Sequence, residues 1–248
     1  EREFLRNLGI RLPREVNRAP RDAQPTHPTR EAHWSICIDD VSFGYHRRQP
    51  VLEGVSLTIK KGEFVALTGD NGSGKSTLAR LILGLLRPDR GTVWVRPGNG
   101  RLIMGREVGL LLQNPVEQLF CDTVDEEIAF GLENYRVPGG EGIEQALAVT
   151  DLSHKRSYRV QDLSSGEHQR LALASVLALA PEALILDEPT LGQDWGHLSR
   201  LMAYVGELNR QGTTVVLITH DAEVVQTYAQ RTVRLAGGRL VGDATFLN

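Results

Sequence analysis

A glycine-rich segment at residues 69–77, with the sequence GDNGSGKST, constrains the fold of this chain more than any other feature. It matches the pattern G-x-x-x-x-G-K-[ST] at every fixed position. The run before it, residues 64–68, is apolar and β-prone, and residues 78–85 carry leucine and isoleucine at helical spacing. The segment therefore predicts a tight loop between a buried strand and a helix, which is the P-loop arrangement.

A P-loop binds the phosphates of ATP or GTP for electrostatic reasons. Its glycines let backbone N–H groups close around the phosphates, and the helix that follows directs its positive end at them. We expect Lys75 to reach the β- and γ-phosphate oxygens and the Ser76 hydroxyl to face Mg²⁺. The other loop residues expected to contact the nucleotide are Asn71, Gly72, Ser73, Gly74 and Thr77. The alternative interpretation is a glycine-rich turn with an exposed lysine.

Composition narrows the class of protein. The chain has 248 residues, of which 41% are hydrophobic, enough for one large α/β domain or a domain with an appendage. A net charge of −3 gives no electrostatic signature of nucleic-acid binding, so no nucleic-acid partner is expected. The longest apolar run, residues 171–180, is about half the length that a membrane span requires. Cys37 and Cys121 lack metal-site spacing and are expected to be reduced thiols.

The organisation of the chain changes near residue 34. Residues 1–33 are rich in arginine, glutamate and proline, and are expected to form a linker or an N-terminal tail. After them, strands are predicted at residues 36–43, 51–59, 64–68, 92–95, 108–112, 183–186 and 214–219, and helices at residues 166–180, 197–209 and 222–228. A closing hairpin is predicted at Gly237 and Gly238. Apolar strands that alternate with helices predict a parallel sheet covered on both faces.

A second motif, ALILDEP at residues 183–189, is an apolar strand that ends in two carboxylates. The end of the strand is expected to bring Asp187 near the Mg²⁺ of the P-loop, and Glu188 beside the γ-phosphate as a base for the attacking water. A strand that happens to end in an acidic turn is the alternative. The P-loop upstream favours the catalytic interpretation.

A third motif, LSSGEHQR at residues 163–170, resembles the LSGGQ-type signature of ATP-binding cassette (ABC) proteins. It departs from that pattern at Ser165, where the family usually has glycine, and at Glu167, where it usually has glutamine. Ser164, the backbone N–H groups that follow, Gly166 among them, and the start of a helix would form a second anion site. The resemblance implies that this signature closes over ATP bound to a second cassette in a head-to-tail dimer. A helix merely capped by Ser164 is the alternative.

The family resemblance implies roles for four further residues. Tyr45 matches the aromatic residue that stacks on adenine, although packing beside Phe43 would account for it equally well. Gln113 matches the glutamine that contacts Mg²⁺ or water and senses a membrane partner. His220 matches the switch histidine that hydrogen-bonds the γ-phosphate. Asp194 corresponds to the loop that crosses the dimer interface, here with a sequence that departs from the common form.

Residues 113–134 resemble the ATPases of energy-coupling factor transporters, which import vitamins and cobalt or nickel. The resemblance implies an α/β ABC ATPase domain over residues 34–248, with a mostly parallel core sheet, an antiparallel β edge and a helical subdomain at about residues 113–180. It implies ATP and Mg²⁺ as cofactors, and transmembrane coupling and substrate-binding subunits as partners. The expected location is peripheral, at the cytoplasmic face of the membrane. A capped surface helix that begins after Thr123 is the simpler interpretation of the same residues.

The sequence leaves two alternative functions. A soluble cassette ATPase that remodels a ribosome or a DNA-repair complex is the alternative, although the sequence between P-loop and signature lacks the long coiled coil of the repair proteins. A regulatory module without turnover is disfavoured by Glu188 and His220.

Residues 4–13 resemble the connector between the two cassettes of duplicated coupling-factor ATPases. The variant loop at residues 192–194 also resembles the second halves of such proteins. We therefore expect the carboxy-terminal half of a tandem ATPase, with a tail left by cloning or processing as the alternative.

Overall fold

The described part of the computed structural model covers residues 34–46, 49–95, 106–137, 140–189 and 195–246. In chain order the strands are β1 (Trp34–Phe43), β2 (Leu52–Lys60), β3 (Phe64–Thr68), β4 (Arg90–Val95), β5 (Val108–Leu111), β6 (Ala183–Asp187), β7 (Thr214–Ile218), β8 (Arg231–Ala236) and β9 (Arg239–Thr245). The α-helices are α1 (Lys75–Ile82), α2 (Val124–Tyr135), α3 (Glu141–Val149), α4 (Ser165–Leu177), α5 (Trp195–Arg210) and α6 (Ala222–Tyr228). Short 3-10 helices cover Pro115–Gln118, Ser153–Lys155 and Val160–Asp162.

The central sheet has six strands in the order β5-β6-β7-β3-β8-β9, parallel except for β9. All residues of β6 and β7 are buried, because apolar side chains cover both faces of the sheet. Along β3, Phe64 and Ala66 belong to one apolar cluster, whereas Val65 and Leu67 belong to another. This alternation is the period of two that a strand imposes on its side chains. The prediction of a mostly parallel core sheet is confirmed.

A second, three-stranded antiparallel sheet has the order β2-β1-β4. Its buried side chains, such as Ile36 and Val55, share one apolar cluster with Leu78 and Leu81 of α1 and with one face of the central sheet. The helix that follows the P-loop therefore packs within a core formed by both sheets. This sheet and the β8–β9 hairpin provide the antiparallel edges of the predicted fold class.

Helices α2, α3 and α4 pack on one another and on the opposite face of the central sheet. Ile128, Leu147 and Leu171 are fully buried in that cluster. Helix α2 begins with a capping box, in which the Thr123 side chain accepts from the N–H of Glu126 and the Glu126 carboxylate accepts from the N–H of Thr123. Of the helices within the described residues, none combines the length and apolarity that a bilayer crossing requires.

Most predicted elements lie within two or three residues of their observed bounds. Helix α1 is the exception, because the apolar spacing through residue 85 predicts a longer helix than the observed Lys75–Ile82. Gly84 adopts a positive φ of 67° after the helix ends, and Leu85 is left 64% exposed. The tail or linker prediction for residues 1–33 lies outside the described residues.

The stability of the helical cluster is open to direct measurement. Ile128→Ala removes a side chain with no solvent exposure and is expected to lower the free energy of unfolding by about 2–5 kcal/mol. Leu85→Ala, a similar deletion at an exposed site, is expected to change it by less than about 0.5 kcal/mol. Urea denaturation of both variants measures these free energies. Equal losses of unfolding free energy would contradict the burial of Ile128 in the core and the exposure of Leu85.

Candidate nucleotide-binding site

The P-loop joins β3 to α1, as the sequence predicts. Gly69 has a φ of 143°, and a Cβ built there would lie 2.0 Å from the carbonyl oxygen of Leu235. Only glycine therefore allows the loop to approach β8 this closely. Gly74, with a φ of 105°, is the N-cap of α1 and has no side chain to cap the helix. The first N–H groups of α1 are left available to an anion, as a phosphate cradle requires.

Lys75 lies inside this loop. Its ammonium donates to the carbonyl oxygens of Gly69 at 2.8 Å and Asp70 at 3.0 Å, and the residue is only 7% exposed. The hydroxyl of Ser73 is buried and has no hydrogen-bond partner in the described part of the chain. A buried positive charge beside an unsatisfied hydroxyl fits a polyphosphate, which supplies negative charge and acceptor oxygens. Asn71 and Gly72 lie exposed at the tip of the same loop, and Thr77 is buried in the first turn of α1.

Asp187 ends β6 and is 2% exposed. Burial raises the pKa of its carboxyl above the ordinary value, while a hydrogen bond with the Ser76 hydroxyl acts in the opposite direction. A carboxylate and a hydroxyl beside a phosphate-binding loop are hard oxygen ligands of the kind that Mg²⁺ takes, together with phosphate oxygens. The two residues therefore fit the predicted metal site.

Glu188 follows Asp187 and is 6% exposed. Its φ of 53° lies in the left-handed region, which is uncommon for a residue with a side chain. One carboxylate oxygen, Oε1, lies 3.1 Å from Nδ1 of His220, whose side chain is 68% exposed. The other oxygen, Oε2, is buried without a hydrogen-bond partner among the residues described. The structure brings two of the predicted catalytic residues, Glu188 and His220, into direct contact.

Gln113 and Tyr45 lie at the margins of this site. Gln113 is exposed two residues after β5 ends, at the same carboxyl edge of the sheet as Asp187. The hydroxyl of Tyr45 lies 3.3 Å from that of Thr77, and its ring meets Phe43 edge-on with a centroid distance of 5.1 Å. Packing against Phe43 is therefore present, and half of Tyr45 remains exposed beside the P-loop.

The signature-like segment forms the start of α4, with Ser164 as N-cap in a second capping box. The Glu167 carboxylate accepts from the N–H and the hydroxyl of Ser164, both at 2.8 Å. The ammonium of Lys155 lies 2.6 Å from the same carboxylate and, with the Ser164 contacts, lowers the pKa of Glu167 to about 2. Ser165 is exposed and Gly166 partly exposed beside Ser164.

Sequence reasoning did not single out two residues of this region. Lys155 lies in a short 3-10 helix, and its only sequence signal is the acidic residue at the signature position that usually carries an amide. Gln169 is buried within α4, and its amide donates to the main-chain carbonyl of Glu188 at 3.1 Å. A polar residue among the apolar positions of a helix is a sequence signal that could have identified Gln169. Asp194, the predicted interface residue, lies outside the described residues.

The family model described as "ABC transporter" matches residues 52–191. A Methanosarcina mazei protein named as an ABC transporter ATP-binding protein is 41% identical over 218 residues, covering 84% of this chain and 36% of that protein. A similarly named Vibrio vulnificus protein is 37% identical over 218 residues, covering 84% of this chain and 38% of its own. The chain thus spans little more than a third of the length of these relatives.

Solved structures share the fold. CbiO1 of Clostridium perfringens, described as part of the ABC transporter complex CbiONQ, superposes with a TM-score of 0.72 at 30% identity, covering 86% of this chain and 89% of that one. The ATP-binding cassette MJ0796 was solved as a dimer in a post-hydrolysis state with ADP and phosphate. It superposes with a TM-score of 0.76 at 26% identity, covering 86% of this chain and 99% of that one. The predicted fold class is confirmed. The family match, which spans more than half of the chain, and the shared fold show that this chain belongs to the ABC transporter family as one of its ATPase domains.

Proposed function

We propose that this domain hydrolyses ATP to power the import of a small solute, of the vitamin or transition-metal class, through an energy-coupling factor transporter. The observation that carries the hydrolysis is the buried Glu188 carboxylate at the sheet edge that also carries the P-loop. Support for the transporter class comes from residues 113–134 and from the likeness to CbiO1, described as part of the CbiONQ complex.

Nucleotide binding is assigned to the P-loop and to Tyr45. Lys75 would exchange its contacts with the loop carbonyls for the β- and γ-phosphate oxygens, since these carry the greater negative charge. The Ser73 hydroxyl and the N–H groups of the loop from Asn71 to Thr77 would bind the remaining phosphate oxygens. The exposed face of Tyr45 would stack on adenine.

The metal and the water are assigned to the carboxyl edge of the sheet. Ser76 and Asp187 would hold Mg²⁺, with Gln113 contacting the metal or the water from the neighbouring strand. Glu188 would accept the proton of the attacking water through Oε2, which has no hydrogen-bond partner among the described residues. His220 holds Oε1 and would itself reach the γ-phosphate. Bound Mg²⁺ would supply neutralisation of the developing phosphate charge.

A second cassette is proposed to complete the ATP site. Ser164, Ser165 and Gly166 stand at the exposed start of α4, where N–H groups and the helix dipole favour an anion. We assign them to the ATP of a head-to-tail partner cassette, with Glu167 holding the turn and Asp194 crossing the interface. The cassette MJ0796, a structural neighbour, is itself solved as a dimer.

A membrane partner is proposed to dock on an aromatic patch made by Val116, Phe120 and Phe130. Their exposed fractions are 61%, 57% and 44%, and the two phenylalanine rings lie 6.3 Å apart. Buried Glu127 accepts from the N–H groups of Phe120 and Cys121, both at 2.7 Å, and so fixes the backbone beneath the patch. The patch begins three residues after Gln113, which would link a docked transmembrane subunit to the ATP site. We also propose a peripheral place at the cytoplasmic face of the membrane, supported by the likeness to CbiO1, which is described as part of an ABC transporter complex.

The role of Glu188 is tested by Glu188→Gln. We expect ATP binding to persist and turnover to fall by roughly 10²–10⁴, the usual contribution of a general base. Lys75→Ala should instead weaken ATP binding, since it removes charge-assisted contacts worth about 1.5–3 kcal/mol. Glu207→Gln, on α5 with a side chain that is 47% exposed, is the matched control and should change neither. Near-normal turnover of the Glu188 variant in the full transporter would overturn the assignment.

The role of Asp187 is tested by Asp187→Asn. Folding raises the pKa of the Asp187 carboxyl, so its ionised form lowers the stability of the folded state. This loss of stability is absent at pH values below the pKa of the unfolded chain and is complete at pH values above the pKa of the folded protein. The metal-free variant should therefore have a higher Tm near neutral pH, and the difference should shrink on acidification.

The same variant should lose the Tm increase that Mg²⁺ and ATP give the parent protein. Asp39→Asn, at an exposed site on β1, is the control and should keep that increase. Calorimetry with and without a chelator measures both effects. A metal-free Asp187→Asn protein that melts below the parent at neutral pH would contradict the first expectation.

The signature assignment is tested by Ser164→Arg in the Glu188→Gln background, in which an ATP-bound dimer should accumulate. We expect the arginine to block closure of the dimer, because its bulk fills the turn that must approach the partner's nucleotide. ATP binding by the single cassette should remain. Ser153→Arg, at another exposed serine, should leave dimer formation intact. Light scattering and ATP titration separate the outcomes, and equal loss of ATP binding would show that the signature was misassigned.

A further inference from the structure

The buried amide of Gln169 connects the signature helix to the backbone of Glu188. Helix α4 starts at the N-cap Ser164, and Gln169 lies five residues further along, about 7 Å up the helix axis. Its side chain is buried, and its amide nitrogen donates to the carbonyl oxygen of Glu188 at 3.1 Å. On its other side, Glu188 donates its own N–H to the carbonyl of Ile218 in β7 at 2.8 Å. The backbone of Glu188 is thus held between the sheet and α4.

Glu188 needs such contacts because its conformation is unfavourable. A φ of 53° is sterically unfavourable for a residue with a Cβ, and a residue that precedes proline, as Glu188 precedes Pro189, normally prefers extended backbone. Conformations of this kind persist only where neighbouring groups hold them. The direction of the carboxylate follows from this backbone, since it aims Oε1 at His220 and leaves Oε2 buried without a partner in the described chain.

We propose that Gln169 is a positioning residue that couples the signature helix to the catalytic carboxylate of the same cassette. The inference rests on the proposed function, in which α4 meets the ATP of the partner cassette while Glu188 acts on the ATP of its own P-loop. A shift of α4 on the partner's nucleotide moves the Gln169 amide, and with it the carbonyl of Glu188. The amide hydrogen bond therefore makes the activity of one ATP site depend on occupation of the other.

The chemistry of the contact restricts the residue type. An amide presents an N–H donor to a carbonyl at this buried site, whereas a carboxylate would place two acceptors against each other. Methionine has a similar length and volume but donates no hydrogen bond, so Gln169→Met removes the link while keeping the space filled. A displacement of about 1 Å at a reacting group is enough to cost roughly 100-fold in rate.

The experiment measures ATP hydrolysis by the full protein with its transporter partners. For Gln169→Met we expect kcat to fall roughly 10- to 100-fold while the KM for ATP changes by less than about threefold, because the phosphate contacts of the P-loop remain. We also expect any cooperativity in ATP to decrease, with a Hill coefficient closer to one. A Gln169→Met variant with the kcat and Hill coefficient of the parent would overturn the proposal.

Asn209 provides the matched control. It is also a buried amide, and its nitrogen donates to the carbonyls of Gly62 and Thr213, both at 2.9 Å, away from Glu188. Asn209→Leu should lower Tm as Gln169→Met does, yet leave kcat within about twofold when both are assayed well below their Tm. An equal loss of kcat in both variants would show that Gln169 acts only through stability and would overturn the proposal.

The double variant separates this inference from the proposed function. Where Glu188→Gln has already removed the base, Gln169→Met should lower the residual turnover by less than about twofold, because its effect passes through Glu188. A further loss as large as in the parent background would overturn the coupling alone. Full turnover by Glu188→Gln would instead refute the assigned base, and with it the proposed mechanism, whatever Gln169→Met does.

Discussion

Parallel pairing of β6, β7 and β3 is the constraint on which the site depends. Ile218, at the end of β7, is in register with Asp187 on one side and with Leu67 on the other. Because parallel strands all end at the same edge, this register brings the acidic pair, the residues after β7 and the P-loop together. The apolar side chains of both faces hold that register, since a slip of one residue would move every side chain from one packed face of the sheet to the other. The geometry of the site therefore depends on apolar core residues that do not themselves belong to the site.

The starts of α1 and α4, proposed above as anion sites, differ in how their N–H groups are capped. The first N–H groups of α1 have no side-chain cap, because Gly74 stands at the N-cap. Helix α4 carries a full capping box, in which the carboxylate of Glu167 accepts from Ser164 and is paired with Lys155. The first start is thus open to phosphate, whereas the second must exchange internal hydrogen bonds for those of a bound nucleotide. This difference supports the proposal that α1 binds the ATP of its own cassette and that α4 meets the ATP of a partner cassette.

Local patterns predicted most of the fold because they report which faces are buried. The apolar runs of β3, β6 and β7 reflect burial that the structure confirms. Such patterns fail where a single backbone conformation decides the outcome. The apolar spacing extends to Leu85, yet the helix ends at Ile82, before the left-handed turn at Gly84. No local pattern indicates that Glu127, in the first turn of α2, is buried and accepts a hydrogen bond from the loop that carries Phe120.

The sequence by itself determined the P-loop, the acidic pair and the capped signature helix, since each is a contiguous motif whose chemistry depends on neighbouring residues. It also determined the family, because those motifs occur together in order. Only the tertiary structure decided the contacts between segments far apart in the chain. The bond from Gln169 to the Glu188 carbonyl, the contact of His220 with Glu188 and the pairing of Lys155 with Glu167 are of this kind. They depend on how α4 packs against the sheet, and packing is set by the summed burial of many side chains rather than by any local pattern.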